Sequence, residues 1–133
     1  MTKQLMQALV AVGTLTLATS ALAGAPPELK GKLDAKLAAL KWMGTDAQVV
    51  AAVKAYNTSP PAATAGMTQD KWKGLSLLDP VVKGLAKNAL ATHLKGKKDA
   101  AVTELFVSGA DGGKVALLAK TSNWSHKGKA KHD

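Results

Sequence analysis

Residues 104 to 119 read Glu104-Leu-Phe-Val-Ser-Gly-Ala-Asp-Gly-Gly-Lys-Val-Ala-Leu-Leu-Ala119. Two apolar runs, Val102 to Val107 and Val115 to Ala119, flank a segment from Gly109 to Gly113 whose residues tolerate positive φ. This pattern predicts an antiparallel β-hairpin. Because an isolated hairpin is only marginally stable in water, it must pack against helices from earlier in the chain, further strands or a partner chain.

The segment before the hairpin has helical periodicity. A first amphipathic helix is predicted after Pro26-Pro27, ending near Gly44, because leucines recur at helical spacing. Thr45 and Gln48 form the pattern of a capping box and predict the start of a second helix. The residues that define these two apolar faces are Leu29, Leu33, Leu37 and Leu40 in the first helix, and Val49, Val50, Val53 and Tyr56 in the second.

Further helices are predicted beyond a loop over residues 57–66, which is rich in proline and small residues. Thr68 is expected to cap a short helix that carries Trp72. Asp79 followed by Pro80 predicts the start of one longer helix that continues to Leu94. The sequence therefore predicts an α+β fold: a helical region over 26–94, a hairpin over 102–119 and a polar C-terminal loop over 120–133.

The N-terminal 23 residues have the pattern of a secretory signal peptide. A cation at Lys3 precedes an apolar run from Leu5 to Leu22, and Ala21-Leu22-Ala23 forms a small-residue cleavage site before Gly24. An uncleaved membrane anchor is the alternative, but polar residues dilute the run. We expect cleavage after Ala23, a single small domain over 24–133 without a membrane span, and a periplasmic or secreted location.

Composition narrows the functional classes. The chain has no cysteine, so no disulfide holds the fold. All 18 cationic residues are lysine, and against 9 carboxylates the net charge is +9, or +8 without Lys3. Arginine is the usual residue for bidentate recognition of phosphates and guanine edges. Its absence argues against a sequence-specific nucleic-acid reader, whereas the positive charge favours anionic ligands or surfaces.

The titratable residues point away from catalysis. No serine-hydrolase, metalloprotease, phosphate-loop or dinucleotide motif occurs in the sequence, so we expect neither enzymatic activity nor a cofactor. His126, His132 and Asp133, with Asn123 nearby, form a weak candidate metal site, since imidazole and carboxylate groups suit zinc or copper. The lysines between the two histidines repel a cation, and His93 is expected to be a structural residue of its helix.

Four segments together resemble the exported, PAS-like extracytoplasmic sensor domains of the Cache type. They are residues 46–57, 78–82, 104–107 and 120–126, and the likeness runs in order from Asp46 to Asp133. The resemblance implies a helical region packed on a twisted antiparallel sheet, with a small ligand held between the sheet and its covering loops. It also implies that Thr121, Trp124 and His126 line the ligand pocket.

The same resemblance implies further strands beyond the loop after the hairpin, so relative to this family the chain is short at its C-terminal end. Three alternatives follow: a stand-alone binding protein, a subunit whose sheet is completed by another copy or a partner chain, and a truncated form. Trp124 also has a second interpretation, as an anchor of its loop on the core.

The sequence thus predicts an exported, non-enzymatic, sensor-type domain that binds a small, anionic metabolite. Lys120 or Lys127 is expected to supply charge, and Trp124 a stacking surface. The alternative is a basic interaction protein whose lysine-rich tail, Lys127 to Lys131, binds anionic surfaces or polymers through salt-sensitive contacts.

Overall fold

The computed structural model describes residues 26–128 and confirms an α+β fold. Residues 1–25, which include the predicted signal peptide, and the last five residues, among them Lys129, Lys131, His132 and Asp133, lie outside the described residues. Within the described part, five α-helices precede a two-stranded antiparallel sheet. The elements are α1 (Pro27–Leu40), a 3₁₀ turn (Lys41–Gly44), α2 (Ala47–Thr58), α3 (Gln69–Gly74), α4 (Pro80–Lys87), α5 (Ala89–Lys97), β1 (Phe106–Ser108) and β2 (Lys114–Leu117).

Side-chain caps begin most of these helices. The predicted caps at Thr68 and Asp79 are confirmed: they accept hydrogen bonds from the backbone N–H groups of Lys71 and Val81, respectively. The predicted cap at Thr45 is wrong. Asp46 caps α2, because its carboxylate accepts from the N–H groups of residues 48 and 49 at 3.0 and 3.1 Å, while the Thr45 hydroxyl donates to a carbonyl of the preceding turn.

The predicted continuous helix from Pro80 to Leu94 is wrong, because Asn88 divides it into α4 and α5. Asn88 has an extended backbone, with ψ 169°, and its side-chain Oδ1 accepts a hydrogen bond of 2.8 Å from the N–H of Ala91. Its Nδ2 donates to the carbonyl of Val115 at 2.9 Å. Asparagine competes with helical hydrogen bonding through such local contacts, and here the same side chain also ties the helix break to β2.

Helix α1 forms, but its predicted apolar face is not buried. The helix exists and ends at Leu40, but none of its residues is buried, and Leu29 and Leu33 remain 49% and 37% exposed. Lys36 Nζ forms an ion pair of 2.7 Å with Asp99 Oδ2. The leucine stripe therefore does not pack into the core of the described residues.

The hairpin is shorter than its two apolar runs, because only seven residues pair as strands. Its two faces meet different hydrophobic clusters. Val107 and Ala116 face a cluster built mainly by α2 and α5, whereas Leu117 and Phe106 face a cluster built by α3, α4 and Trp124. The earlier helices therefore cover both faces of the hairpin. No helix within residues 26–128 is long and apolar enough to span a membrane.

Candidate ligand-binding pocket

A pocket of about 400 Å³ lies where the C-terminal half of α2, the loop after it, α4 and the start of β2 meet. Small residues create the space: Ala52 and Ala55 face it from α2, and Gly84 faces it from α4. A Cβ added to Gly84 would meet no heavy atom within 4 Å. The lining consists of Ala52, Ala55, Tyr56, Ser59, Pro61, Ala63, Thr64, Pro80, Val81, Gly84, Leu85, Asn88, Lys114 and Val115.

Polar side chains line the pocket beside its apolar walls. Tyr56 is buried, and its hydroxyl donates a hydrogen bond of 3.3 Å to Oδ2 of Asp111 in the hairpin turn. Burial, followed by the negative charge of Asp111, raises the pKa of Tyr56 to about 12, while a hydrogen bond with Thr64 acts in the opposite direction. The phenol therefore stays protonated at neutral pH and retains a hydroxyl that can both donate and accept.

Lys114 is the lysine of the lining, and it is fully buried. Its Nζ lies 3.0 Å from Nδ1 of His126 and 4.1 Å from the centroid of the Phe106 ring. An ammonium group can only donate, so Nδ1 of His126 is the acceptor when Lys114 is charged. The imidazole in turn stacks on Phe106, with ring centroids 5.0 Å apart and planes at 13°. This packing places the Lys114 side chain beside a mostly apolar pocket.

The structure brings the predicted loop residues together, but against the core. Thr121 and Trp124 are buried, and the carbonyl of Thr121 accepts a hydrogen bond of 2.7 Å from the indole N–H of Trp72. The two indole rings lie 5.2 Å apart. Gln69 holds the same loop, since its Oε1 accepts from the N–H of Trp124 at 2.9 Å. Trp124 thus anchors its loop on the core, the second of its two interpretations.

The remaining predicted residues occupy different environments. Lys120 Nζ lies 5.1 Å from the ring centroid of Trp72, and Lys127 is exposed. None of the five predicted ligand-binding residues belongs to the described lining of the pocket. His126 contacts Lys114, which is a lining residue. The five are Thr121, Trp124, His126, Lys120 and Lys127.

The metal-site candidates cannot be placed as a set, since His132 and Asp133 lie outside the described residues. Among residues 26–128, no three histidine, aspartate, glutamate or cysteine side chains are grouped so that they could hold a metal ion.

A second group of polar residues, outside the pocket lining, surrounds Asp46. Its carboxylate oxygens lie 2.7 Å from Nζ of Lys97 and 2.9 Å from Nε2 of His93. The hydrogen bond from Lys97, followed by that from His93, holds the pKa of Asp46 well below its usual range. His93 is therefore a structural partner of the α2 cap, as expected from the sequence.

Sequence reasoning missed Gly84, Asn88 and Lys114 as lining residues. Tyr56 was assigned only to an apolar helix face, although a buried tyrosine hydroxyl usually needs a partner. The periodicity of a strand does not reveal that its lysine turns inward, and a glycine within a helix has no local signature of a cavity.

Comparison of the chain with models of protein families, with curated proteins and with solved structures finds no match.

Proposed function

We propose that this chain is an exported, non-enzymatic domain of the sensor type that binds a small metabolite carrying an anionic group. The observation that supports this proposal is the pocket of about 400 Å³ with a buried lysine in its lining. Sites for small molecules are concave and mostly apolar, with a few polar groups, and have volumes of about 300–1,000 Å³. The pocket meets each of these criteria.

The proposed ligand has two chemically distinct ends. Its apolar part packs between α2 and α4, against Ala55, Val81 and Leu85. Its anionic group lies toward Lys114. A carboxylate in a site of low polarity gains more from a nearby cation than it would in water, because the dielectric screening is weaker.

A thermal-shift screen of organic acids and amino acids tests the proposal. Binding to the native state alone raises the free energy of unfolding, by about 2.7 kcal/mol when the free ligand is at 100 times its Kd. We expect at least one acid to raise the unfolding temperature, and its neutral amide to do so much less. No stabilisation by any compound near millimolar concentration would contradict the proposal.

The variant Gly84→Leu locates the binding site. The leucine side chain would extend into the pocket, and replacing a helical glycine also improves helix propensity. We therefore expect this variant to fold and to lose stabilisation by the ligand. Gly96→Leu is the matched control, since Gly96 is also helical, meets no atom within 4 Å of an added Cβ, and lies outside the lining. Equal ligand responses in the two variants would exclude this pocket as the site.

A further inference from the structure

Two exposed leucines lie in the turn between α3 and α4. Leu77 and Leu78 are 69% and 73% exposed, the largest values among the exposed large hydrophobic residues of the described chain. They lie between Ser76 and Asp79, whose backbone groups close the turn through a hydrogen bond of 3.2 Å. Glycine, proline, asparagine, aspartate and serine dominate such positions. The turn therefore presents apolar side chains where polar ones are usual.

Hydrogen bonds within the turn hold these leucines in place. The Ser76 hydroxyl accepts from the N–H of Leu78 at 3.1 Å, and Oδ1 of Asp79 accepts from the N–H of Val81 at 2.8 Å. Three successive donors of this segment, counting the N–H of Asp79, thus have partners within the chain. The N–H groups of Leu78 and Asp79 can therefore enter a medium of low polarity without the cost of being left unpaired.

Lysines flank the apolar tip on both sides. Lys73 lies in the last turn of α3, Lys83 lies near the start of α4, and both are exposed. The acidic residues nearby occupy other positions than these two lysines. Asp70 is in the first turn of α3, and Asp79 is partly buried and caps α4. Residues 69–87 contain four lysines and two aspartates, a net charge of +2. The tip is therefore apolar and its surroundings are cationic.

We propose that the turn Ser76–Asp79 is a contact site for an anionic lipid surface. Leu77 and Leu78 enter the boundary between headgroups and acyl chains, and Lys73 and Lys83 bind the anionic headgroups. Such binding combines buried apolar area with electrostatic attraction, which contributes about 1 kcal/mol per lysine near the surface.

The chemistry of the turn favours a lipid surface over a protein or a soluble polyanion. Two leucine side chains offer far less area than the roughly 800 Å² per partner that a stable protein interface buries. A soluble polyanion has no apolar layer to receive them. A bilayer supplies both an apolar layer and a high density of negative charge.

A fluorescent label at residue 78 tests insertion directly. Because the chain has no cysteine, Leu78→Cys provides a single site for an environment-sensitive fluorophore. With vesicles of phosphatidylcholine containing phosphatidylglycerol, we expect a blue shift and increased emission. Vesicles of phosphatidylcholine alone, and heparin, are expected to leave the spectrum unchanged. The same label at Leu33→Cys, an exposed leucine on α1, serves as the control for position.

Sedimentation with vesicles measures the energetic contribution of the two leucines. Leu77→Ser/Leu78→Ser is expected to reduce the partition coefficient about tenfold or more, given the apolar area that two leucines bury. Leu29→Ser/Leu33→Ser removes two exposed leucine side chains from α1 and should change the partition coefficient less than twofold. All variants retain the same N-terminal residues, so differences between them report only the substituted positions.

The lysines are tested in the same way. Lys73→Gln/Lys83→Gln should weaken binding to anionic vesicles about tenfold or more, and more than Lys30→Gln/Lys32→Gln, which makes the same charge change on α1. Raising the salt concentration should weaken binding further by screening. The proposal is overturned if the label at residue 78 does not respond to anionic vesicles, or if the α1 and turn variants lose binding equally.

Discussion

The hydroxyl of Tyr56, near the end of α2, donates a hydrogen bond of 3.3 Å to Oδ2 of Asp111, in the turn of the hairpin. The neighbouring residue, Asn57, accepts a hydrogen bond of 2.8 Å from the N–H of Ala110 through its side-chain oxygen. These two contacts dock the hairpin turn on α2. Because Tyr56 also lines the pocket, the same side chain joins the sheet, the helix and the proposed ligand site.

Tyr56→Phe removes the hydroxyl while it retains the ring in the core. We expect the free energy of unfolding to fall by about 1 kcal/mol, the usual contribution of one hydrogen bond. Urea unfolding at neutral pH measures this change. Stability equal to that of the native sequence would show that the contact with Asp111 contributes nothing.

The same residue makes a specific contribution to alkaline stability. The pKa of Tyr56 is raised from 10.0 to about 12, so the folded state binds its proton more tightly than the unfolded state. The resulting stabilisation is complete below pH 10.0 and is lost as the pH rises through about 12. The stability difference between the native sequence and Tyr56→Phe should therefore shrink across this range. All other titratable groups are common to both proteins and cancel in the difference.

Gly113→Ala should destabilise the hairpin turn. A Cβ at this position would clash with the hydroxyl of Tyr56, which the packed core cannot easily displace. We expect a loss of about 1–3 kcal/mol, the typical cost of overpacking. Gly96→Ala is the control, because its Cβ would meet nothing within 4 Å and the helix should gain stability. A neutral effect of Gly113→Ala in thermal unfolding would contradict the close approach of Tyr56.

Asp46→Asn separates the charge of Asp46 from its role as a cap, since asparagine also caps helices well. The variant should be less stable at pH 7 because Lys97 and His93 lose an anionic partner. The pKa of Asp46 is lowered from 3.8, so its stabilisation is present above that pH and is lost as the pH falls below it. The urea midpoints of the native protein and of Asp46→Asn should therefore differ at neutral pH and converge as the pH falls into this acidic range. A difference independent of pH would refute this role.

Two substitutions distinguish the two hydrogen bonds of the Asn88 side chain. Asn88→Asp retains the acceptor that caps α5 but loses the donor to the carbonyl of Val115, whereas Asn88→Ala loses both. We expect Asn88→Ala to cost about 1–2 kcal/mol more than a surface substitution, chiefly through the lost cap. Asn88→Asp should fall between this variant and the native sequence. If both variants unfold at the urea midpoint of the native protein, Asn88 does not hold the helix break.

Local signals in the sequence predicted much of the fold. Thr68 and Asp79 cap helices through contacts two or three residues away, and the glycine-rich turn closes the hairpin as expected. The break at Asn88 was not predictable in this way, because asparagine is tolerated within helices and its contact with Val115 joins residues 27 positions apart.

The candidate site was harder to predict from the sequence than the fold. The pocket depends on Gly84, Tyr56 and Lys114, which come from three elements and meet only in the tertiary structure. The sequence predicted a ligand-binding role for the loop from Thr121 to Trp124. In the structure, those residues anchor the loop on Trp72 and Gln69, which agrees with one of the two interpretations of Trp124.

Backbone amide chemical shifts during a ligand titration show directly whether the ligand binds in the pocket. With the organic acid that stabilises the protein most, we predict the largest shifts at pocket-lining residues of α2, α4 and β2, including Tyr56, Gly84 and Val115. The Gly84→Leu variant, titrated in the same way, should lose these shifts. Saturable shifts confined to residues 120–128, with no shifts at the pocket residues, would place binding on the C-terminal loop and contradict binding in the pocket.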